Sequence, residues 1–308
     1  MPFFSIIIPL YNKENFIENT LKSVINQSFT DFEIIIVNDG STDASEIKAK
    51  QFIDARIRYF SKENEGVSSA RNYGIALAQS DYISFIDADD YWYPNFLQEM
   101  FENINRFSNQ KVFSAAIEIE TSAKIIEAQY SIKKTSDCEI VNYFDASVKT
   151  TAICTSCAVF HKSLFEEIGN FDINLKSGQD TDLWIRIGLI YPVLFSWKIL
   201  ARYVHDSNSL SKRKEYYNKK MDFSKFTDAE RKNPALRKFL DLNRFSFAIK
   251  SKLNNDKINF ENLRKGIDLK NLSSKKRILL KLPATVLKTL IALNLLLIKL
   301  GLTNSVFK

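Results

Sequence analysis

Glycine is scarce in this chain of 308 residues, and the usual glycine-rich nucleotide-binding motifs are missing. It has eight glycines, and neither G-x-G-x-x-G nor G-x-x-x-x-G-K-[ST] occurs. These absences exclude the two commonest backbone cradles for phosphate, so a bound phosphate would need a cation or basic side chains. Three cysteines and two histidines also argue against a zinc centre or a disulfide framework. We expect Cys154 and Cys157 to lie on a strand, in a protein of the reducing cytoplasm.

Short apolar runs alternate with helix-like segments through the first 90 residues. The runs are Phe3–Pro9, which ends at its proline, Glu33–Val37, Ile57–Phe60 and Tyr82–Ile86. Helical spacing or helix-start residues follow the first three runs, at 15–24, at 41–43 and from residue 66. Further strands are expected at 111–120 and 153–160. The alternation predicts a Rossmann-like α/β fold, with a mostly parallel sheet flanked by helices and ligands beyond the carboxyl ends of the strands.

Three acidic residues follow the fourth apolar run directly, in the sequence Asp87-Ala88-Asp89-Asp90. Two carboxylates separated by one small residue at a strand end can hold Mg²⁺ or Mn²⁺, with substrate phosphates as the remaining ligands. The alternative interpretation is a solvated acidic turn before the next helix. Pro9, Tyr11 and Asp39 follow or end other strands at the same predicted edge, and this favours a nucleotide–metal site. The ring of Tyr11 could stack on a base, and Asp39 could accept a hydrogen bond from it.

Five segments resemble the inverting family-2 glycosyltransferases of the GT-A fold, of the bacterial surface-polysaccharide type. They read SIIIPLYN, IIIVNDGSTD, NEGVSSARNYGI, FIDADDYW and GNFD…GQDTDLWIRI. The resemblance covers about residues 1–210 and implies a nucleotide-binding half at 1–110 and an acceptor-binding half at 111–210. It also implies a hexosyltransferase-type enzyme with a nucleotide-sugar donor, a UDP-sugar by family frequency, and a diphosphate-bound metal.

The resemblance assigns roles to the residues that match these segments. Pro9, Tyr11 and Asp39 would line the base pocket with Arg71 beside it. Asp87 would meet the ribose and metal region, and Asp89 of the DXD motif would be the main ligand for Mn²⁺ or Mg²⁺. His205 would contact the metal or phosphates.

A second acidic position, Asp180, precedes an apolar helical stripe that includes Leu183 and Trp184. A carboxylate near a helix N-terminus is favoured in its ionised form and can serve as a general base. A purely capping role is the alternative. In the family Asp180 matches the catalytic base, although Gln179 replaces the usual preceding Glu and puts its acceptor contact in doubt. Asp182 is a weaker alternative base.

Charge is unevenly divided along the chain. Residues 211–308 carry 24 Lys and Arg against 8 Asp and Glu, a net charge of +16, whereas the residues before them total −9. We expect 211–308 to be a helical basic appendage. Its segment 277–302 has a basic stripe on an otherwise apolar helix, which indicates a helix lying in a membrane surface rather than spanning it. Packing against the catalytic domain or a second copy of the chain, as in a homodimer, is the alternative.

Three functions remain open on these residues. The first is a metal-dependent glycosyltransferase at the inner face of the cell membrane, peripherally bound, with a glycan or lipid-linked acceptor. The second is a nucleotidyltransferase that makes nucleotide-sugars, although no basic glycine-rich loop follows the first strand. The third is a non-catalytic module that binds nucleotide-sugars. Nucleic acid is not an expected partner, because no RNA-binding or finger motif occurs.

Overall fold

The computed structural model describes residues 1–121, 124–204 and 222–299, with the backbone alone for 295–299. The chain divides into two compact units, Met1–Met221 and Asp222–Lys308. The boundary predicted at residue 210 lies outside the described residues.

One mixed sheet organises the first unit. Its strands are β1 (Phe4–Leu10), β2 (Phe32–Asp39), β3 (Ile57–Lys62), β4 (Tyr82–Phe85), β5 (Tyr91–Trp92), β6 (Val112–Glu120), β7 (Ile125–Glu127), β8 (Cys138–Val141), β9 (Ala158–His161) and β10 (Val193–Val204). Its helices are α1 (Ile17–Ile25), α2 (Ser45–Lys50), α3 (Val67–Leu77), α4 (Phe96–Arg106), α5 (Tyr143–Ala146), α6 (Ser163–Ile168) and α7 (Gln179–Gly188). The strand order is β3-β2-β1-β4-β9-β6-β10-β5, with β7 added on β6 and β8 on β10. The α/β class predicted from the alternation is confirmed.

The parallel half of the sheet contains β3, β2, β1 and β4, as the first 90 residues predict. Every residue of β1 and of β2 is buried, which explains their unbroken apolar sequences. The first strand continues through Pro9 to Leu10 instead of ending at the proline. Its pairing with β4 stops at Ile7, so the proline, which has no N–H, does not interrupt that ladder.

The second half of the sheet is less regular than predicted. Antiparallel pairs join β9 to β4 and to β6, whereas β6 and β10 are parallel. The strand expected at 153–160 begins only at Ala158, because a 3₁₀ turn occupies Thr155–Cys157. The polar groups of Ser156 explain the turn. Its carbonyl accepts from Trp92 Nε1 at 2.5 Å, and its Oγ accepts from the backbone N–H of Asp87 at 3.0 Å.

Helix α3 packs very closely on the first strand, and Gly74 makes this possible. A Cβ atom at position 74 would lie 2.4 Å from Ile7 Cγ2. The contact holds α3 against the middle of β1. Arg71, one turn earlier on α3, is buried.

The second unit is helical, as predicted for the basic region. Its helices are α8 (Thr227–Lys232), α9 (Pro234–Leu253), α10 (Lys257–Lys265), α11 (Ser274–Lys281) and α12 (Ala284–Lys299). A small apolar core around Phe245 and Leu280 holds α9, α10 and α11 together. Beside it, Arg244 forms buried ion pairs with Glu230 at 2.8 Å and Asp241 at 3.1 Å.

The single kinked helix predicted at 277–302 is instead two helices, with residues 300–302 outside the described part of the chain. Pro283 ends α11 because it cannot donate a helical hydrogen bond. Two backbone carbonyls at the end of α11 accept hydrogen bonds from Lys252 instead of from a following turn of helix. Lys252 Nζ donates to the carbonyl of Leu280 at 2.6 Å and to that of Leu282 at 2.9 Å. Among the described residues, no helix is both long enough and apolar enough to cross a membrane.

Candidate active site

The loop after β1 is fastened to the loop after β2 at the carboxyl edge of the sheet. Asn12 adopts a left-handed backbone conformation (φ 51°), and its Oδ1 accepts from the backbone N–H of Thr42 at 2.8 Å. The next backbone N–H, that of Lys13, donates to Ser45 Oγ at 2.6 Å. Tyr11 is partly buried within this loop, and Pro9 is buried in the strand before it. Two of the three predicted base-pocket residues, Pro9 and Tyr11, therefore lie at the carboxyl edge of the sheet, and their contact with a base stays a prediction.

Asp39, the last residue of β2, is buried and accepts three hydrogen bonds. The donors are Lys62 Nζ at 3.0 Å and the backbone N–H groups of Glu65 at 3.1 Å and Gly66 at 2.8 Å. Gly66 directly precedes α3 with a φ of 101°, a conformation that favours glycine. The carboxylate thus stabilises the N-terminus of α3. Its contact with a base stays a prediction. A carboxylate has about four acceptor sites, so Asp39 can accept a further hydrogen bond from a base.

The guanidinium of Arg71 joins two carboxylates that are far apart in sequence. Nη1 donates to Asp180 Oδ1 and Nη2 donates to Asp87 Oδ1, each at 2.6 Å. The Arg71 side chain is 2% exposed, whereas Asp87 and Asp180 are 33% and 37% exposed. A buried cation therefore holds two carboxylates that are each about one third exposed and otherwise shielded from water. This bridge places the DXD motif and the predicted base in one site.

Asp180 is the second residue of α7, as its sequence position predicts. Burial raises its pKa; the guanidinium of Arg71 opposes this shift, and the nearby charge of Asp87 adds to it. A raised pKa makes a carboxylate a stronger proton acceptor once it is ionised. Asp182 is fully buried and accepts from Arg186 of the same helix at 3.1 Å, which removes it as an alternative base.

Helix α3 also anchors the loop that leads to Asp180. The side-chain amide of Asn72 donates to the carbonyl of Phe171 at 2.8 Å and accepts from its N–H at 3.0 Å. The Phe171 ring packs 5.1 Å from the guanidinium carbon of Arg71. Further along the loop, Lys176 Nζ donates to the carbonyl of Glu65 at 2.9 Å. These contacts fix both ends of the loop against the start and middle of α3.

The acidic cluster after β4 contains carboxylates with three different environments. Asp87 binds Arg71, whereas Asp89 Oδ2 lies 2.5 Å from Lys13 Nζ. Asp90 is buried, and its Oδ1 accepts from the backbone N–H of Val204 at 2.8 Å. Its other oxygen, Oδ2, is buried without a hydrogen-bond partner in the described part of the chain. Asp90 therefore fastens the end of β10 to the DXD loop.

Crowding of these carboxylates changes their acidity. Burial raises the pKa of Asp89, the charge of Asp87 raises it further, and Lys13 opposes both. The pKa of Asp90 is raised well above its usual range by burial and by the charges of Asp87 and Asp89. Within residues 1–121, 124–204 and 222–299, no group of three or more His, Cys, Asp or Glu side chains is arranged to hold a metal ion. A metal at Asp89 would therefore need ligands from the substrate.

The residues present nevertheless fit a hard divalent cation. Asp89 already binds a cation, the ammonium of Lys13, and the buried Oδ2 of Asp90 lacks a partner among the described residues. Carboxylate oxygens are ligands that Mg²⁺ and Mn²⁺ prefer, and Mg²⁺ commonly binds through one or two carboxylates plus substrate phosphates.

The model of the family described as "Glycosyl transferase family 2" matches residues 5–169, just over half of the chain. The chain belongs to glycosyl transferase family 2. An uncharacterized glycosyltransferase of Rickettsia typhi is 33% identical over 216 residues, which are 68% of this chain and 66% of that protein. Glycosyltransferase GlyA of Streptococcus pneumoniae is 31% identical over 219 residues, which are 68% of this chain and 31% of that protein. The aligned part is thus about a third of several relatives and two thirds of another.

Solved structures of this family's fold agree with the architecture. S. aureus TarS in complex with UDP-GlcNAc has a TM-score of 0.68 at 20% identity, covering 87% of this chain and 82% of that chain. A TarS structure with UDP has a TM-score of 0.59 at 18% identity, covering 87% and 88%. At this identity the likeness establishes the fold, which confirms the GT-A expectation.

Family membership did not by itself identify all the residues that build the site. His205 lies outside the described residues, so its predicted contact stays a prediction. Sequence reasoning missed Lys13, Asn72 and Ser156. Lys13 directly follows the segment SIIIPLYN, and Asn72 lies within NEGVSSARNYGI. Their position in or next to family-like segments could have identified both as candidates. Ser156 lies outside those segments and was hidden by the strand expected around it.

Proposed function

We propose that the chain is a metal-dependent inverting glycosyltransferase that moves a sugar from a UDP-sugar to a hydroxyl group of a glycan or lipid-linked acceptor in surface polysaccharide biosynthesis. The observation that carries the proposal is the Arg71 bridge. It puts a partly exposed carboxylate of the predicted donor side, Asp87, and the predicted base, Asp180, on one buried cation. A donor bound at the DXD loop would then have a proton acceptor within the same site. The UDP-GlcNAc complex of TarS supports a nucleotide-sugar donor by analogy of fold.

The chemistry assigned to the protein is a single displacement. Asp180 takes the proton of an acceptor hydroxyl while that oxygen forms a bond to the anomeric carbon of the donor. The bond from that carbon to the diphosphate oxygen breaks, the nucleoside diphosphate leaves from the opposite face, and the anomeric configuration inverts. Asp89, with Asp87 and donor phosphates, would hold Mn²⁺ or Mg²⁺, which when bound neutralises charge on the leaving diphosphate.

A panel of nucleotide-sugars tests the donor. Thermal unfolding of the full chain is measured with UDP-, GDP-, CMP- and dTDP-sugars, each with and without Mn²⁺. We expect one UDP-sugar to raise the midpoint, and more so with Mn²⁺, because a ligand that binds only the folded state stabilises it. Stabilisation by another nucleotide alone contradicts the uridine assignment. Release of pyrophosphate from a nucleoside triphosphate and a sugar phosphate would instead establish a nucleotidyltransferase.

The substitution Asp180→Asn tests the base. Asparagine keeps an oxygen that can accept from Arg71 but cannot take a proton, so we expect transfer to fall by about 10²- to 10⁴-fold with donor affinity retained. The exposed Asp145 of α5 offers a matched control, Asp145→Asn, which should retain wild-type activity. Transfer at the wild-type rate by Asp180→Asn refutes the assignment, and retention of configuration in the product, read by NMR, refutes the single displacement.

We further propose that α11 and α12 lie on the anionic inner surface of the cell membrane, which would make the protein cytoplasmic and peripherally bound. From Leu269 to Lys308 the sequence has eight Lys and Arg and no Asp or Glu. Among these residues the basic side chains of Lys281 and Lys288 are exposed, and so are the apolar side chains of Ile278, Val286 and Leu293. Exposed cations beside exposed apolar side chains complement anionic headgroups and the acyl region beneath them.

Sedimentation with lipid vesicles tests this surface. The wild-type protein should bind vesicles that contain phosphatidylglycerol and bind phosphatidylcholine vesicles weakly, and added salt should weaken binding. Lys281→Glu/Lys288→Glu should lose most of the binding, whereas Lys238→Glu/Lys257→Glu, at two lysines that are also exposed, serves as the control. Equal binding of both double variants contradicts the assignment. A dimer in solution that does not bind vesicles would favour pairing between copies of the chain.

A further inference from the structure

The ammonium of Lys13 forms an ion pair with Asp89, the carboxylate that would hold the metal in the proposed function. Lys13 Nζ lies 2.5 Å from Asp89 Oδ2, across 76 positions of sequence. Both side chains are largely shielded from water, at 22% and 15% exposure. The same ammonium lies 5.4 Å from the centroid of the Phe16 ring, which forms one wall of its position.

The backbone around Lys13 is held firmly, so the fold fixes where its side chain begins. Its own N–H donates to Ser45, the neighbouring Asn12 is fastened to Thr42, and the N–H of Glu14 donates to Asp43 Oδ2 at 3.1 Å. These bonds fix the start of the lysine side chain, while its four-carbon stem lets the ammonium reach more than one acceptor.

The charge balance of the site explains why the ammonium is paired with Asp89. Among the described residues, Asp87, Asp89 and Asp180 supply three carboxylates, and Arg71 and Lys13 supply the cations that contact them. Without Lys13, Asp89 would be a largely buried carboxylate beside Asp87, and no other ammonium or guanidinium group of the described residues is paired with it. A divalent cation at Asp89 would compete for the same oxygen and would repel the ammonium at close range.

We propose that Lys13 is a diphosphate-binding residue that neutralises Asp89 in the donor-free protein and transfers its ammonium to the donor's diphosphate when a divalent cation binds Asp89. The released ammonium is within one side-chain length of Asp89, where the phosphates that complete the metal's ligands would lie. Lysine is suited to this exchange because its ammonium is a compact charge that binds carboxylate or phosphate oxygens. Metal binding and diphosphate binding are then coupled. A metal that binds alone must displace the Lys13 ammonium from Asp89, whereas a diphosphate bound with the metal gives that ammonium a new partner. This inference rests on the proposed function.

Binding of Mn²⁺ to the full chain, measured from the EPR signal of free Mn²⁺ in MnCl₂ solutions without nucleotide, tests the exchange. We expect Lys13→Met to bind Mn²⁺ about tenfold more tightly than the wild type, because no ammonium has to leave. Lys13→Arg keeps a positive charge beside Asp89, so it should bind Mn²⁺ more weakly than Lys13→Met. Lys13→Gln is measured in parallel in case the apolar substitution lowers the yield of folded protein. Lys22→Met, on the exposed face of α1, is the matched control and should not change the affinity.

Addition of UDP completes the test. UDP should tighten Mn²⁺ binding by the wild type, and tighten it much less in Lys13→Met, because the diphosphate has lost its ammonium partner. Unchanged Mn²⁺ affinity in both Lys13→Met and Lys13→Gln overturns the inference while leaving the proposed function intact. If the wild type binds no Mn²⁺ even with UDP, the metal dependence in the proposed function fails, and this inference fails with it.

Discussion

Replacement of Arg71 by lysine separates the charge of this residue from its shape. Arginine reaches Asp87 and Asp180 with two different nitrogens at 2.6 Å each, from a side chain that is 2% exposed. A lysine ammonium would keep the positive charge but could not span both carboxylates with the same planar geometry. One carboxylate should lose its partner, and the orientation of Asp180 relative to the DXD loop should loosen.

The structure allows an estimate of the cost. A hydrogen bond to a charged group contributes about 1.5–3 kcal/mol. Asp87 and Asp180 are 33% and 37% exposed, so water recovers part of this energy. We therefore expect a loss of about 1–2 kcal/mol in the free energy of unfolding. For a unit of this size the unfolding midpoint should fall by about 2–8 °C. A misplaced base should lower kcat by about 10²-fold.

Thermal unfolding and steady-state transfer of the same preparations measure both effects. Arg106→Lys, at an exposed arginine of α4, is the matched control for the substitution itself. If the bridge acts on catalysis through Asp180, the variant Arg71→Lys/Asp180→Asn should transfer no more slowly than Asp180→Asn alone. An Arg71→Lys protein with wild-type midpoint and wild-type kcat would refute the reasoning, because two donors would then be unnecessary.

Three further predictions concern neighbouring residues. Asn72→Ala removes both hydrogen bonds to the Phe171 backbone, so kcat should fall by about tenfold with donor KM unchanged, and Asn72→Asp, whose carboxylate oxygen would face the Phe171 carbonyl, should not restore it. Because burial raises the pKa of Asp180, kcat/KM should decline on the acid side with a midpoint above the ordinary aspartate value of about 3.9, and Arg71→Lys should move that midpoint higher. The raised pKa of Asp90 means that the folded protein binds more protons than the unfolded chain as pH rises above about 3.9. Stability should therefore fall over that range, and thermal unfolding of Asp90→Asn between pH 4 and 8 should lack this contribution; parallel curves for the two proteins would contradict it.

Local sequence was sufficient for the parallel half of the sheet. A strand buried on both faces must be apolar throughout, so β1 and β2 could be recognised without knowing their neighbours. Helix α1 could be recognised for the same reason, because the spacing of its apolar residues depends only on which face of the helix is buried. The turn at Thr155–Cys157 could not be recognised this way. Its conformation depends on hydrogen bonds from Trp92 and from the N–H of Asp87, which are more than sixty positions away.

The sequence by itself determined the α/β class, the strand ends where acidic and aromatic residues collect, and the place of Asp180 at the start of a helix. Only the tertiary structure decided which of these groups meet: Arg71 with Asp180 across 109 positions, and Lys13 with Asp89 across 76. The physical reason is that periodicity records how one element is exposed to solvent. The pairing of charges between loops depends instead on how closely the elements pack, as Gly74 permits for α3 on β1.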